Sequence, residues 1–247
     1  MKAIFLGTNG WYNTDTGNTT CILVQARDAH IVFDAGDGFY KLDRYIKDSK
    51  PIHLFISHIH LDHITGLHTI NKFNFSQGIK IYGTKETLEL ILELIRPPYS
   101  IELGKLPFKV EFVEIVEGTY DFGFGLEARK LFHSVECLGY RIQADAKTVS
   151  YCTDTGICDN AAVLSKNADL SMFECALKSG QDDKAWPHLT PHAAANIAKA
   201  AGAKKMALIH FNPFLYPAMD DRITAEKEAK EIFPGAFYTR DGLEVSV

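Results

Sequence analysis

Five cysteines with no Cys-x-x-Cys pair give this chain neither a disulfide framework nor a thiolate zinc motif. Cys21, Cys137, Cys152 and Cys175 lie in or beside apolar strand-like runs, where cysteine serves as a small hydrophobe. With Cys158 they read as reduced thiols of a cytoplasmic protein, and none is assigned to a metal. Clustered positive charge is also missing. The 26 Lys plus Arg are scattered among 31 Asp plus Glu, for a net charge of -5, so a surface for a large polyanion is not advertised. No apolar run approaches a membrane span, and Met1 to Thr8 is too short for a signal peptide and reads as a first strand. Linkers, low-complexity tracts and short repeats are absent, so residues 1–247 read as a single domain whose 46% hydrophobic content can fill a large core.

What the chain does contain is Ile56-Ser57-His58-Ile59-His60-Leu61-Asp62-His63, three imidazoles and a carboxylate within six positions. Ile52 to Ser57 reads as a short buried strand, which places the histidines at the turn after its carboxyl end, where α/β sheets carry their chemistry. Imidazole nitrogen and carboxylate oxygen suit borderline divalent ions such as Zn²⁺, and one such turn can feed two ions ~3.5–4 Å apart. A lone histidine is more often an ordinary polar residue, and His30, His53, His68 and His192 read that way. Four ligand-type residues at this spacing are costly to desolvate without an ion, so the segment predicts a metal site.

The motif resembles that of the metallo-β-lactamase superfamily, and other runs match the ligands its two-metal members use. His133 follows a strand-like run in Leu131-Phe132-His133-Ser134, Asp154 ends Val149-Ser150-Tyr151-Cys152-Thr153-Asp154, and His210 ends Lys205-Met206-Ala207-Leu208-Ile209-His210. The resemblance covers nearly the whole chain. It implies a four-layer αββα sandwich, where pattern alone gives only α/β. It also implies His58, His60 and His133 on one ion, Asp62, His63 and His210 on the other, and Asp154 bridging, with zinc the expected metal and manganese or iron the alternatives. A water shared between the ions would be the nucleophile and Asp62 would orient it, while Asp34 would support the metal-binding turn.

Asp154 argues against the antibiotic-cleaving lactamases, which lack the bridging aspartate, and His60 argues against flavodiiron proteins, which have an acid there. Trp186-Pro187-His188-Leu189-Thr190, followed by the alanine-rich Pro191 to Gly202, resembles the ribonuclease Z branch. The resemblance implies that His188, paired with Glu174, protonates the leaving oxygen; otherwise His188 merely packs or caps its loop. Phe173 and Pro187 depart from that branch, where histidine and glycine are usual. The tRNA-gripping arm is missing too, because Gln143 to Thr148 is only a tight hairpin connection between His133 and Asp154.

The expected function is therefore hydrolysis of a small phosphodiester by a dinuclear metal site. Thioester, sulfate-ester or lactone hydrolysis, ribonuclease Z-like RNA cleavage, and a metal-binding sensor or scaffold remain as alternatives, and a homo-oligomer is compatible with all of them. Two loops, Gly7 to Asp15 with Trp11 and Tyr12, and Arg96 to Ser100 with Tyr99, are candidates for substrate contact or simple surface turns. Helical periodicity is expected over Lys85 to Ile95, Pro191 to Ala201 and Arg222 to Phe233.

Overall fold

The computed structural model describes residues 1–183 and 185–247. In chain order the strands are β1 Lys2–Gly7, β2 Cys21–Gln25, β3 His30–Phe33, β4 Ile52–Phe55, β5 Ile79–Gly83, β6 Val110–Glu114 and β7 Gly118–Asp121. They continue as β8 Gly125–Lys130, β9 Leu138–Ala144, β10 Lys147–Cys152, β11 Leu170–Glu174, β12 Met206–Ile209, β13 Ala236–Tyr238 and β14 Leu243–Ser246. The α-helices are α1 Leu42–Tyr45, α2 Leu61–Ile64, α3 Lys85–Leu94, α4 Asp159–Leu164, α5 Pro191–Ala200 and α6 Met219–Ile232.

The strands form two seven-stranded sheets, β14-β1-β2-β3-β4-β5-β6 and β13-β12-β11-β10-β9-β8-β7. Each sheet joins an antiparallel half to a parallel half, with the change of direction at β3 and at β10. This internal symmetry has no counterpart as sequence repetition. Alternation along the strands builds three cores. In β1, Ala3 and Phe5 face the second sheet, where they join Tyr140, Tyr151 and Ile209, while Ile4 and Leu6 face outward to Phe39, Leu67 and Ile91. On the other side Phe173, Met206 and Leu208 pack under α4, α5 and α6. The order helix, sheet, sheet, helix is the expected αββα sandwich.

Capping chemistry sets the helix ends. Thr190 accepts a hydrogen bond from the Ala193 N–H, Pro191 opens α5, and Gly202 follows it at a φ of +68°. Ala194, Ala195 and Ala198 are wholly buried, so their small side chains bring α5 close to β11 and β12. The helix α6 begins earlier than the expected Arg222, at Met219, because the Asp221 carboxylate reaches back to the Ala218 N–H. Two short connections also differ from the sequence reading, since β7 and α4 lack a strong periodic signal. Between β9 and β10 only Asp145 and Ala146 intervene, both at positive φ, which is a two-residue hairpin. No helix of the described residues is long and apolar enough to cross a membrane.

Candidate metal centre

The carboxyl ends of β3 and β4 meet those of β10, β11 and β12 along one edge of the sandwich. Asp34, Asp154 and His210 each follow directly on β3, a step beyond β10, and on β12, and all three adopt positive φ: +56°, +47° and +52°. Left-handed backbone is uncommon outside glycine and more accessible to Asp than to branched residues. Here it breaks each strand as it leaves its sheet. His60 serves as the N-terminal flank of α2, so Asp62 and His63 lie in the first turn of that short helix.

Two clusters of donor atoms result. In the first, His60 Nδ1 lies 3.0 Å from His58 Nε2 and 3.2 Å from His133 Nε2, while Asp154 Oδ2 lies 3.7 Å and 3.8 Å from those two Nε2 atoms. In the second, His63 Nε2 and His210 Nε2 are 3.2 Å apart, and Asp154 Oδ1 is 3.2 Å from each. Asp62 Oδ2 completes that cluster at 3.1 Å from His210 and 3.6 Å from His63. Donors about 2.0–2.1 Å from a tetrahedral ion stand roughly 3.3 Å from one another. Both clusters have that spacing, and the two oxygens of Asp154 face one cluster each. In the first cluster, imidazoles facing one another cannot all be satisfied by exchanging protons, and in the second two imidazole nitrogens meet between two carboxylates; a divalent cation in each satisfies every lone pair at once. The residues therefore fit a pair of divalent ions.

Asp34 organises the inner wall. This wholly buried carboxylate accepts hydrogen bonds from the Ser57 N–H (2.7 Å), Ser57 Oγ (2.7 Å), Tyr151 OH (2.6 Å) and His63 Nδ1 (2.7 Å). Ser57 Oγ in turn accepts from His58 Nδ1 at 2.9 Å. With Nδ1 protonated, His58 and His63 turn their Nε2 lone pairs toward the two clusters. Cys137 Sγ stands 3.8 Å from His58 Nδ1, away from the metal-facing nitrogen, and burial pushes its thiol well up.

Electrostatics separates the imidazoles. Burial depresses His58, His60 and His133, the last to about 4, which keeps them neutral and ready to ligate. Burial also opposes a charge on His63, but Asp154, Asp62 and Asp34 outweigh it and raise this residue. Asp154 and Asp62 are held low against the cost of burial by the histidines around them, so both remain carboxylates.

His188 Nδ1 lies 2.7 Å from Oε1 of the wholly buried Glu174, the last residue of β11. The Thr155 N–H fixes that carboxylate further at 2.6 Å. Burial disfavours a charged imidazole, yet Glu174, Asp154 and Asp62 raise His188 to about 9. His188, Asp154 and His210 each offer a ligand-type atom within 4.8 Å of one another. Because Thr190 supplies the cap of α5, His188 is not needed for that job.

A cavity of about 700 Å³ opens over the clusters, lined among others by Gly10, Trp11, Leu61, Trp186 and Asn212. Of the two candidate contact loops, only the first reaches it. The Trp11 N–H donates to Asp62 Oδ2 at 2.6 Å, and a side chain at Gly10 would collide with the His210 ring. Arg96 instead pairs with Glu93, and Tyr99 projects into solvent outside the cavity lining. His30, His53, His68 and His192 are likewise outside it: the first three are hydrogen-bonded to Asp48, Tyr82 and the Thr65 carbonyl, and His192 lies 4.0 Å from Glu231. Trp186 at the cavity wall is a contact that sequence reasoning did not single out, although it adjoins His188.

Residues 29–211 match the family model described as the beta-lactamase superfamily domain. The chain belongs to that superfamily. It is a metal-dependent hydrolase of this fold. Ribonuclease Z of Prochlorococcus marinus (strain MIT 9515) is 26% identical over 315 aligned positions, covering 100% of both chains. The Bacillus subtilis (strain 168) protein named "Probable metallo-hydrolase YhfI" is 28% identical over 247 positions and 95% of each chain. The crystal structure of YhfI superposes with a TM-score of 0.81 at 26% identity, covering 99% of each chain. Human tRNase Z, short form, gives 0.77 at 24% identity over 100% of this chain and 99% of its own, a likeness of fold.

Proposed function

We propose that this superfamily member hydrolyses a small phosphodiester at a dinuclear site, with His58, His60 and His133 holding one ion, Asp62, His63 and His210 the other, and Asp154 shared. When bound, two divalent cations supply the Lewis acidity that activates water and offsets charge developing on phosphorus; zinc suits the donor set, with manganese or iron as alternatives. Asp62, fixed by the Trp11 N–H, is the carboxylate available to orient the attacking water. His188 then gives its proton to the departing oxygen, and Glu174 keeps it protonated and correctly turned.

The observation that carries this reading is the buried His188–Glu174 contact beside Asp154 and His210. A proton donor matters most for a poor leaving group such as an alkoxide, which phosphodiesters expel, and least for thiolates and other good leaving groups. Cleavage of RNA is favoured by the ribonuclease Z relatives, whose alignment spans 315 positions against the 247 residues here. Against it stand the two-residue β9–β10 turn and the net charge of -5, which leave a compact substrate as the better fit. Five free cysteines suit a cytoplasmic setting.

The test compares His188→Ala with the parent on two phosphodiesters. On a 2′,3′-cyclic nucleotide, whose leaving group is an alkoxide, turnover should fall roughly 10²–10⁴-fold. With bis(p-nitrophenyl) phosphate, whose nitrophenolate leaves unaided, the loss should be far smaller. Equal, slight losses on both would remove the proton-donor role and return weight to thioester, sulfate-ester or lactone hydrolysis.

A further inference from the structure

The chain contains two tryptophans, and both line the cavity over the metal clusters. They arrive from distant stretches of the sequence. Trp186 lays its indole on the His60 imidazole, with ring centroids 5.4 Å apart and planes 13° from parallel, and remains 50% exposed. Trp11 is 67% exposed and is held by its backbone, whose N–H is bonded to Asp62. Neither indole is used to fill a core.

The turn at Trp11 is unusual in its own right. The Tyr12 N–H donates to the Gly10 carbonyl at 2.7 Å across Trp11, whose φ is +61°. A three-residue turn with positive φ is the rare, strained form, and a bulky residue in that region is an outlier. The surroundings over-determine it. Gly10 packs on His210, Asn9 binds the Tyr12 carbonyl at 3.1 Å, and the buried Arg222 guanidinium holds Asn9, Thr8 and Thr16. Strain maintained in this way at a cavity mouth points to use of the side chain it displays.

The remaining wall narrows what that use is. Among the described residues lining the cavity there is no Lys or Arg to grip further phosphates, and the exposed Leu61 adds apolar surface. Exposed indole faces stack on flat rings, nucleobases among them. We infer that Trp11 and Trp186 are specificity-determining residues that clamp a planar ring, of nucleobase type, carried by the phosphodiester whose phosphate meets the metal clusters. The identity of the reacting group rests on the phosphodiesterase reading; the ring clamp does not.

Because both tryptophans sit at this mouth, intrinsic tryptophan emission reports on the site directly. Metal-loaded protein is titrated with adenosine 5′-monophosphate and, separately, with ribose 5-phosphate, which has the same phosphate and sugar but no base. A saturable emission change with the first and none with the second is expected. Trp11→Ala and Trp186→Ala should also weaken binding of adenosine 5′-monophosphate, measured by isothermal titration calorimetry, roughly tenfold to a hundredfold more than binding of ribose 5-phosphate. The conservative Trp→Phe changes should recover most of that difference. Identical emission responses to the two monophosphates, or equal losses of affinity for both in the alanine variants, would overturn the clamp. A ring-dependent emission change without turnover of bis(p-nitrophenyl) phosphate supports the clamp and removes the phosphodiesterase reading; turnover without ring dependence does the reverse.

Discussion

Asp34 carries more of the site than its position in the sequence advertises. It accepts from Ser57 twice, from His63 and from Tyr151, and through Ser57 it also orients His58. Asp34→Asn keeps the shape but replaces one acceptor oxygen by a donor, so the tautomers of both histidines lose their support. Metal affinity should fall about 10–100-fold, measured by competition with a chelating dye; unchanged affinity would contradict this role. His53 makes a separate prediction about stability. Burial between Tyr82, Phe55 and Phe124, with Lys80 adding to the effect, lowers it to about 4. The folded protein keeps this imidazole neutral while the unfolded chain protonates it near 6.5, so stability is lost as pH falls from about 6.5 to about 4. The loss amounts to roughly 3 kcal/mol at completion. Denaturant melts across that range should show the decline, and His53→Phe should remove this residue's share of it while that of the other depressed histidines remains. The ligand types were legible in the sequence because imidazoles and carboxylates at strand ends have few structural uses. Tyr151 was not, because a tyrosine in an apolar run looks like core, and only the fold brings its hydroxyl to Asp34.

At the scale of elements, strands with continuous apolar runs and helices with caps announced themselves. The elements α3 and α5 begin after Thr84 and Thr190, whose side chains accept from Thr87 and Ala193. The half-exposed β7 and the short α4 did not, since neither has an apolar period long enough to read. The helix α6 also does more than its charged outer face suggests, for it delivers the wholly buried Arg222 to the base of the loop that carries Trp11. That guanidinium donates to Thr8, Asn9, Thr16 and the Thr239 carbonyl and stacks over Phe211 with its centre 4.5 Å from the ring. Arg222→Met fills the space but leaves these acceptors unpaired. It should cost at least about 1–3 kcal/mol in chemical denaturation and lower turnover, because Gly10 and Trp11 are then less firmly set against His210 and Asp62. A variant as stable and as active as the parent would show that the loop holds itself.

For the molecule as a whole, the two sheets serve to bring seven ligand-type residues from four separate stretches of chain to one edge. The order of those stretches could be read by resemblance, and the sandwich followed from it. What could not be read was the partition of the C-terminus, where β13 closes one sheet and β14 crosses to the other, because short strands carry no address. The resemblance implied a bridging Asp154, and the structure adds the atoms: Oδ2 faces one cluster and Oδ1 the other. That division is the geometric basis for a paired metal site, and metal stoichiometry tests it most directly. Chelator-stripped protein is reconstituted with zinc or manganese, freed of excess ion, and assayed for bound metal and for turnover of bis(p-nitrophenyl) phosphate. The expected result is about two ions per chain with restored turnover, and a loss of both on Asp154→Ala. Full occupancy by a single ion, or two ions retained with turnover intact in Asp154→Ala, would contradict a shared aspartate at a dinuclear hydrolytic centre.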